Sequence, residues 1–123
     1  MHAVCETHAF RRSAVQSGMS EVEITSLVTY LAGNPTAGDE IAGTGGCRKV
    51  RWAGRGKGKS GGYRTITFYS GEMCPVYLIT VFRKGERTNL SKGERNGLAK
   101  IAKALAEEAT RKVTVAKIAG KGA

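Results

Sequence analysis

From Ile41 to Gly71 the chain carries no acidic residue, while Arg48, Lys49, Arg51, Arg55, Lys57, Lys59 and Arg64 crowd into the same stretch. Two more cations, Arg83 and Lys84, follow the apolar run that ends at Phe82. A cluster of this kind can hold a phosphate by charge-assisted hydrogen bonds and stabilise the charge of a pentacoordinate transition state. Cations gathered round a lysine also favour its neutral form, which can then take a proton as a base. The same residues make an equally coherent passive surface for a polyanion. On chemistry alone the passive role comes first, because basic clusters more often position a nucleic-acid backbone than cleave it.

Other chemistries fail on spacing or composition. A phosphate-binding loop needs a glycine four residues before Gly-Lys-Ser, and before Gly58-Lys59-Ser60 that position is Ala53. The motif also needs a helix to follow, whereas Tyr63 to Ser70 is strand-like. Metal-assisted cleavage asks for clustered carboxylates or histidines. Here no acid lies in the basic stretch, and His2 and His8 stand far from it in the sequence. Cys5, Cys47 and Cys74 are odd in number and lack a CxxC spacing, so neither a disulfide framework nor a zinc site is implied. They read as small hydrophobes, with Cys47 the least secure because Arg48 and Lys49 follow it.

A chain of 123 residues with 41% hydrophobic content fits one domain spanning 1–123. Its net charge of +10 favours polyanionic partners. No apolar run approaches the roughly 20 residues that cross a bilayer. The opening residues lack a secretory signal pattern. No membrane is expected as a partner, and the expected location is the cytoplasm.

The elements that must position the cations can be read from periodicity. A short strand is expected in His2–Thr7 and a helix in Ala9–Gly18. Ser20 and Glu23 have capping-box spacing, and Val22, Ile24, Leu27, Val28 and Leu31 behind them recur at helical intervals up to Gly33. Cys47 to Ala53 alternates in part, placing Lys49 and Arg51 on one side and Val50 and Trp52 on the other. Gly54 to Gly62 reads as a basic loop, Tyr63 to Ser70 as a second strand, and Gly71-Glu72 as a turn. Pro75 to Phe82 is nearly all apolar, as in a strand covered on both faces. Tyr69 and Tyr77 are expected to pack in the sheet. A second capping box, Ser91 and Glu94, opens a last helix whose buried stripe is Leu98, Ile101, Ala102 and Leu105. Beyond about residue 112 the pattern weakens into an expected tail. The order gives a small α+β domain: N-terminal helices packed on an antiparallel sheet, then a C-terminal helix.

Asn34-Pro-Thr-Ala-Gly-Asp39, Gly43-Thr-Gly-Gly46, Arg48-Lys-Val-Arg51, Gly56 to Gly62 with Tyr63-Arg64, and Tyr77 to Phe82 with Lys84 together resemble the RelE/HigB toxins of bacterial type II toxin–antitoxin systems. The similarity runs from Asn34 to Leu105; the first third matches only in helical outline. It implies a microbial-RNase-like fold and a ribosome-dependent endoribonuclease needing no metal or other cofactor. Messenger RNA would be cut in the ribosomal A site by attack of a 2′-hydroxyl, and the toxin would be held off by a cognate antitoxin protein. Carried onto this chain, Lys49 and Arg51 orient the RNA and help activate the nucleophile, Arg64 stabilises the transition-state phosphate, and Lys84 stands near the leaving group. Lys57 and Lys59 fall in a loop implied to touch ribosomal RNA or message; Arg48, Arg55 and Arg83 join the binding surface. Thr88-Asn89-Leu90-Ser91 stands where many relatives place a tyrosine or histidine, which leaves the leaving-group proton to Lys84 or Arg83. Two alternatives remain: a non-catalytic RNA- or ribosome-binding module, and a ParE-like gyrase poison on the same fold.

Overall fold

The computed structural model describes residues 2–53, 62–71, 74–85 and 90–122. The elements in chain order are β1 (Val4–Glu6), α1 (His8–Gln16), α2 (Glu21–Gly33), β2 (Asp39–Glu40), β3 (Cys47–Trp52), β4 (Tyr63–Phe68), β5 (Val76–Arg83) and α3 (Lys92–Gly122). Both capping boxes form. In α2 the Glu23 amide donates to Ser20 Oγ at 3.1 Å and the Ser20 amide to the Glu23 carboxylate at 2.9 Å. At α3 the Ser91–Glu94 pair repeats the exchange at 3.1 Å each way. Such reciprocal bonds satisfy amides that a helix start otherwise leaves bare. The start of α1 is tied to the sheet as well. Thr7 Oγ1 accepts from the Phe10 amide and donates to the Leu78 carbonyl at 2.8 Å.

The five strands lie in the order β1-β5-β4-β3-β2. From β2 to β5 every pairing is antiparallel, as the sequence leads one to expect. The expectation of a purely antiparallel sheet is corrected by β1, which pairs parallel to β5 with Val4 opposite Val76. Two helices and three strands intervene between them in the chain. No local turn signal can mark such a pairing. The two-residue β2 is also absent from the sequence reading, being too short to show a period.

Each face of the sheet buries its own core. On one, Phe10 and Ala14 of α1 and Ile24, Leu27 and Leu31 of α2 pack over Val50, Tyr63, Val76, Leu78 and Val81. On the other, Leu98 and Ala102 of α3 cover Cys47, Ile66, Phe68, Tyr77 and Ile79. Strand β5 is thus sandwiched, as its continuous apolar run implies. Side chains fully removed from water, such as Leu27, Leu31 and Leu78, each contribute about 2 kcal/mol. Tyr77 packs against Phe68 with ring centroids 6.4 Å apart, and Tyr69 meets His2 edge-on, so both tyrosines serve packing. Two stripe positions differ from the sequence reading: Val22 is 63% exposed in the first turn of α2, and Ile101 is 42% exposed on α3. The helix α3 runs on to Gly122, past the point where the apolar pattern fades. Among the described residues no helix is long and apolar enough to cross a membrane.

Candidate nucleic-acid interface

The cations of β3 and β4 are set by strand alternation and register. Lys49 pairs with Ile66, and Arg51 lies directly opposite Arg64. Arg64 in turn pairs with Phe82 on β5. Directly opposed residues share a face, so Lys49, Arg51, Arg64 and Phe82 project on the α3 side of the sheet. Among the described residues, α3 packs on that face through Leu98 and Ala102, in one cluster with Ile66, Phe68 and Phe82. Arg51 is exposed, and Lys49 and Arg64 are half-buried.

Which residue joins them from β5 is decided by a β-bulge. Ile66 faces Thr80 while the next residue, Thr67, faces Leu78, so Ile79 is the extra residue. A one-residue insertion reverses the facing of everything beyond it. Tyr77 and Ile79 already point to the α3 side; past the bulge Phe82 and then Lys84 point there too, while Val81 and Arg83 turn to the helix-pair side, where the Thr80 hydroxyl also donates to Ser13 Oγ of α1 at 3.3 Å. The Lys84 amide donates to the Gly62 carbonyl at 3.1 Å, fixing this residue beside the start of β4.

Arg83 is engaged on the opposite face. Its Nε donates to the Ser17 carbonyl at 2.7 Å, at the turn between α1 and α2. It also lies against Tyr63, whose hydroxyl donates to Glu23 at 3.4 Å. Burial and the neighbouring Glu23 carboxylate push the Tyr63 phenol above its usual range. Arg48 likewise faces away from the cluster: it donates to the Gly38 carbonyl at 3.1 Å and approaches Glu40 at 4.0 Å. Of the candidate residues, then, Lys49, Arg51, Arg64 and Lys84 come together, and Arg48 and Arg83 do not. Arg55, Lys57 and Lys59 lie outside the described residues.

Lys49 is held in place from behind by a glycine. Gly38 has φ +91°, and a Cβ there would fall 2.5 Å from the Lys49 carbonyl oxygen. Only glycine lets the loop before β2 approach β3 so closely.

Two hollows flank the cluster. One, of about 450 Å³, opens beside Lys49 and is lined by Asp39, Glu40, Ile41, Lys49, Leu90 and Arg95. Asp39 is the register partner of Lys49 and shares its face. The other, of about 200 Å³, lies at the end of β3 on the α2 side, where Arg51 borders Trp52 and Tyr30, whose rings stand 5.2 Å apart. Asp39, Leu90 and Arg95 were not among the candidate site residues of the sequence reading. The second capping box fixes where α3 begins, but which residues its first turn brings to Lys49 depends on the fold.

Cys47 is settled as a core residue. It is fully buried, its thiol donates toward the Leu98 carbonyl at 3.9 Å, and burial pushes its pKa up. Among the described residues no three His, Cys, Asp or Glu side chains converge as a metal site would require. A family model described as the RelE toxin of the RelE/RelB toxin–antitoxin system matches residues 2–121.

Proposed function

The chain belongs to the RelE toxin family, and on that premise we propose that it is an endoribonuclease toxin cutting messenger RNA in the ribosomal A site. The reading is carried by one observation: four cations from three strands share one sheet face, with Arg51 and Lys84 exposed and Lys49 and Arg64 half-buried. In the proposed step the RNA 2′-hydroxyl passes its proton to Lys49, acting as the base, and its oxygen attacks the adjacent phosphorus. The P–O5′ bond breaks, and the 5′-oxygen leaves as a hydroxyl after gaining a proton. The products are a 2′,3′-cyclic phosphate and a 5′-hydroxyl, with no change of oxidation state.

Lys49 and Arg51 orient the RNA backbone and help activate the 2′-hydroxyl. Arg64 neutralises the charge that grows on the phosphate, a task that rewards a preorganised guanidinium. Lys84 supplies the leaving-group proton; what favours it over Arg83 is its facing, since Arg83 is committed to the Ser17 carbonyl on the far side. Tyr30 and Trp52, next to Arg51, offer aromatic surface on which an unpaired base can stack. A cognate antitoxin protein silences the chain by covering this basic face, the complementarity expected of a positively charged patch.

The test is cleavage of a defined message, with and without stalled ribosomes, mapped by primer extension. Cuts within the A-site codon only when ribosomes are present, lost in Arg64→Ala, support the reading. Tight ribosome binding without cuts points to a binding module instead, and inhibition of supercoiling rather than translation to a gyrase poison.

A further inference from the structure

We propose that the hollow beside Lys49 is a base-selective subsite and that Asp39 makes it prefer guanine; this rests on the proposed RNA-cleaving role of the neighbouring cations. The hollow combines three kinds of wall. Lys49 and Arg95 bring positive charge, Ile41 and Leu90 bring apolar surface, and Asp39 brings a carboxylate. Its volume of about 450 Å³ lies within the range of roughly 300–1,000 Å³ found for small-molecule sites. A nucleotide is the ligand class that needs all three: an anion, a flat apolar body, and an edge of hydrogen-bonding groups.

The carboxylates divide by strand alternation. Glu40 pairs with Arg48 across β2 and β3, and its carboxylate lies 4.0 Å from that guanidinium. Asp39 pairs with Lys49, shares its face, is exposed, and makes no ion pair among the described residues. Arg95, in the first turn of α3, likewise has no ion pair among the described residues. Both signs of charge therefore face the hollow outside any ion pair among the described residues.

An ionised carboxylate is purely an acceptor, with two oxygens side by side. Guanine alone among the RNA bases presents adjacent N–H donors, N1–H and the 2-amino group, along one edge. Adenine and cytosine set a ring-nitrogen acceptor beside their amino group, and uracil flanks its N–H with carbonyls. Any of these would turn an acceptor toward Asp39. Recognition of single-stranded RNA through such edges, with the base face on a side chain, is the usual mode. Because Lys49 stands in the same hollow, the selected nucleotide is the one whose phosphate reaches the cation cluster.

The test is binding of guanosine, adenosine, cytidine and uridine 3′-monophosphates, followed by chemical-shift titration of the full chain and of Asp39→Asn. The expected result is tighter binding of the guanosine nucleotide by about tenfold to a hundredfold. Asp39→Asn should erase that preference while the other three bind as before, and Arg95→Gln should weaken all four alike. Equal binding of the four, no binding at millimolar nucleotide, or a guanine preference that survives Asp39→Asn overturns the proposal. A chain that keeps the preference but never cuts RNA overturns the proposed activity and leaves this subsite standing. One that cuts RNA yet binds all four alike does the reverse.

Discussion

Arg51 and Arg64 face each other directly across β3 and β4, a like-charge pairing that costs stability. Opposed Cβ atoms in such a pair are about 5 Å apart, and the two guanidiniums can splay to about 8 Å. At those separations in water the repulsion is ~0.5–0.8 kcal/mol. Arg51→Gln removes one charge and keeps most of the stem, and Arg51 has no ion pair among the described residues to lose. Unfolding entropy of about 2.1 cal/mol/K per residue over 123 residues converts that energy to a rise of about 2–3 °C in Tm. The gain should fade with salt, since the screening length falls to about 3 Å at 1 M. Calorimetric scans of both proteins at 20 mM and 1 M NaCl read this directly, and RNA cleavage should drop in the same variant. A variant that melts at or below the parent at low salt, or whose advantage is indifferent to salt, refutes a shared, open cationic face.

Three further outcomes follow from the geometry. Thr65 is fully buried and its hydroxyl has no partner among the described residues; Thr65→Val should stabilise the fold by about 1 kcal/mol, read as a shift in urea midpoint at constant slope. Arg83→Ala strands the Ser17 carbonyl and should cost about 1–2 kcal/mol with cleavage by the folded protein retained. Lys84→Ala should do the opposite, keeping Tm and losing cleavage. Finally, burial holds the Cys47 thiol and the Tyr63 and Tyr77 phenols above their ordinary values. Their neutral forms are favoured in the fold, so their contribution is complete below about pH 9 and declines as pH rises. Stability measured from pH 8 to 11 should fall, and Tyr63→Phe should flatten the fall above pH 10.

What was legible in the sequence is what depends on neighbours in the chain. Ser20 with Glu23 and Ser91 with Glu94 announce helix starts because the reciprocal bonds close within three residues. Lys49 and Arg51 fall on one face because strand alternation needs no partner. The apolar run of β5 signals burial on both sides for the same reason. Register is different. The parallel seat of β1 beside Val76, the short β2 that sets Asp39 opposite Lys49, and the extra residue at Ile79 arise only when distant segments meet. No residue type marks the bulge, since isoleucine suits a regular strand as well as an irregular one.

That bulge explains how adjacent cations divide between the two faces of the sheet. With a regular ladder, Arg83 would share the face of Tyr77 and Lys84 would turn toward α1 and α2. Arg64 would then fall opposite Val81 with the long, five-donor guanidinium of Arg83 diagonal to it on the same face, and the Ser17 carbonyl would need another donor. With the inserted residue, the guanidinium is spent on a carbonyl at a helix end, where a planar fork of donors is useful. The compact, mobile ammonium of Lys84 is left beside Arg64, and an ammonium can release a proton whereas a guanidinium effectively cannot. The extent of α3 contact completes the division. Its buried Leu98 and Ala102 share a cluster with Ile66, Phe68 and Phe82, yet Arg51 and Lys84 stay exposed and Lys49 and Arg64 only half-buried, so the cations border a packed core without being enclosed by it. They keep the rigid backbone of a central sheet and avoid the desolvation that full burial of four like charges would impose.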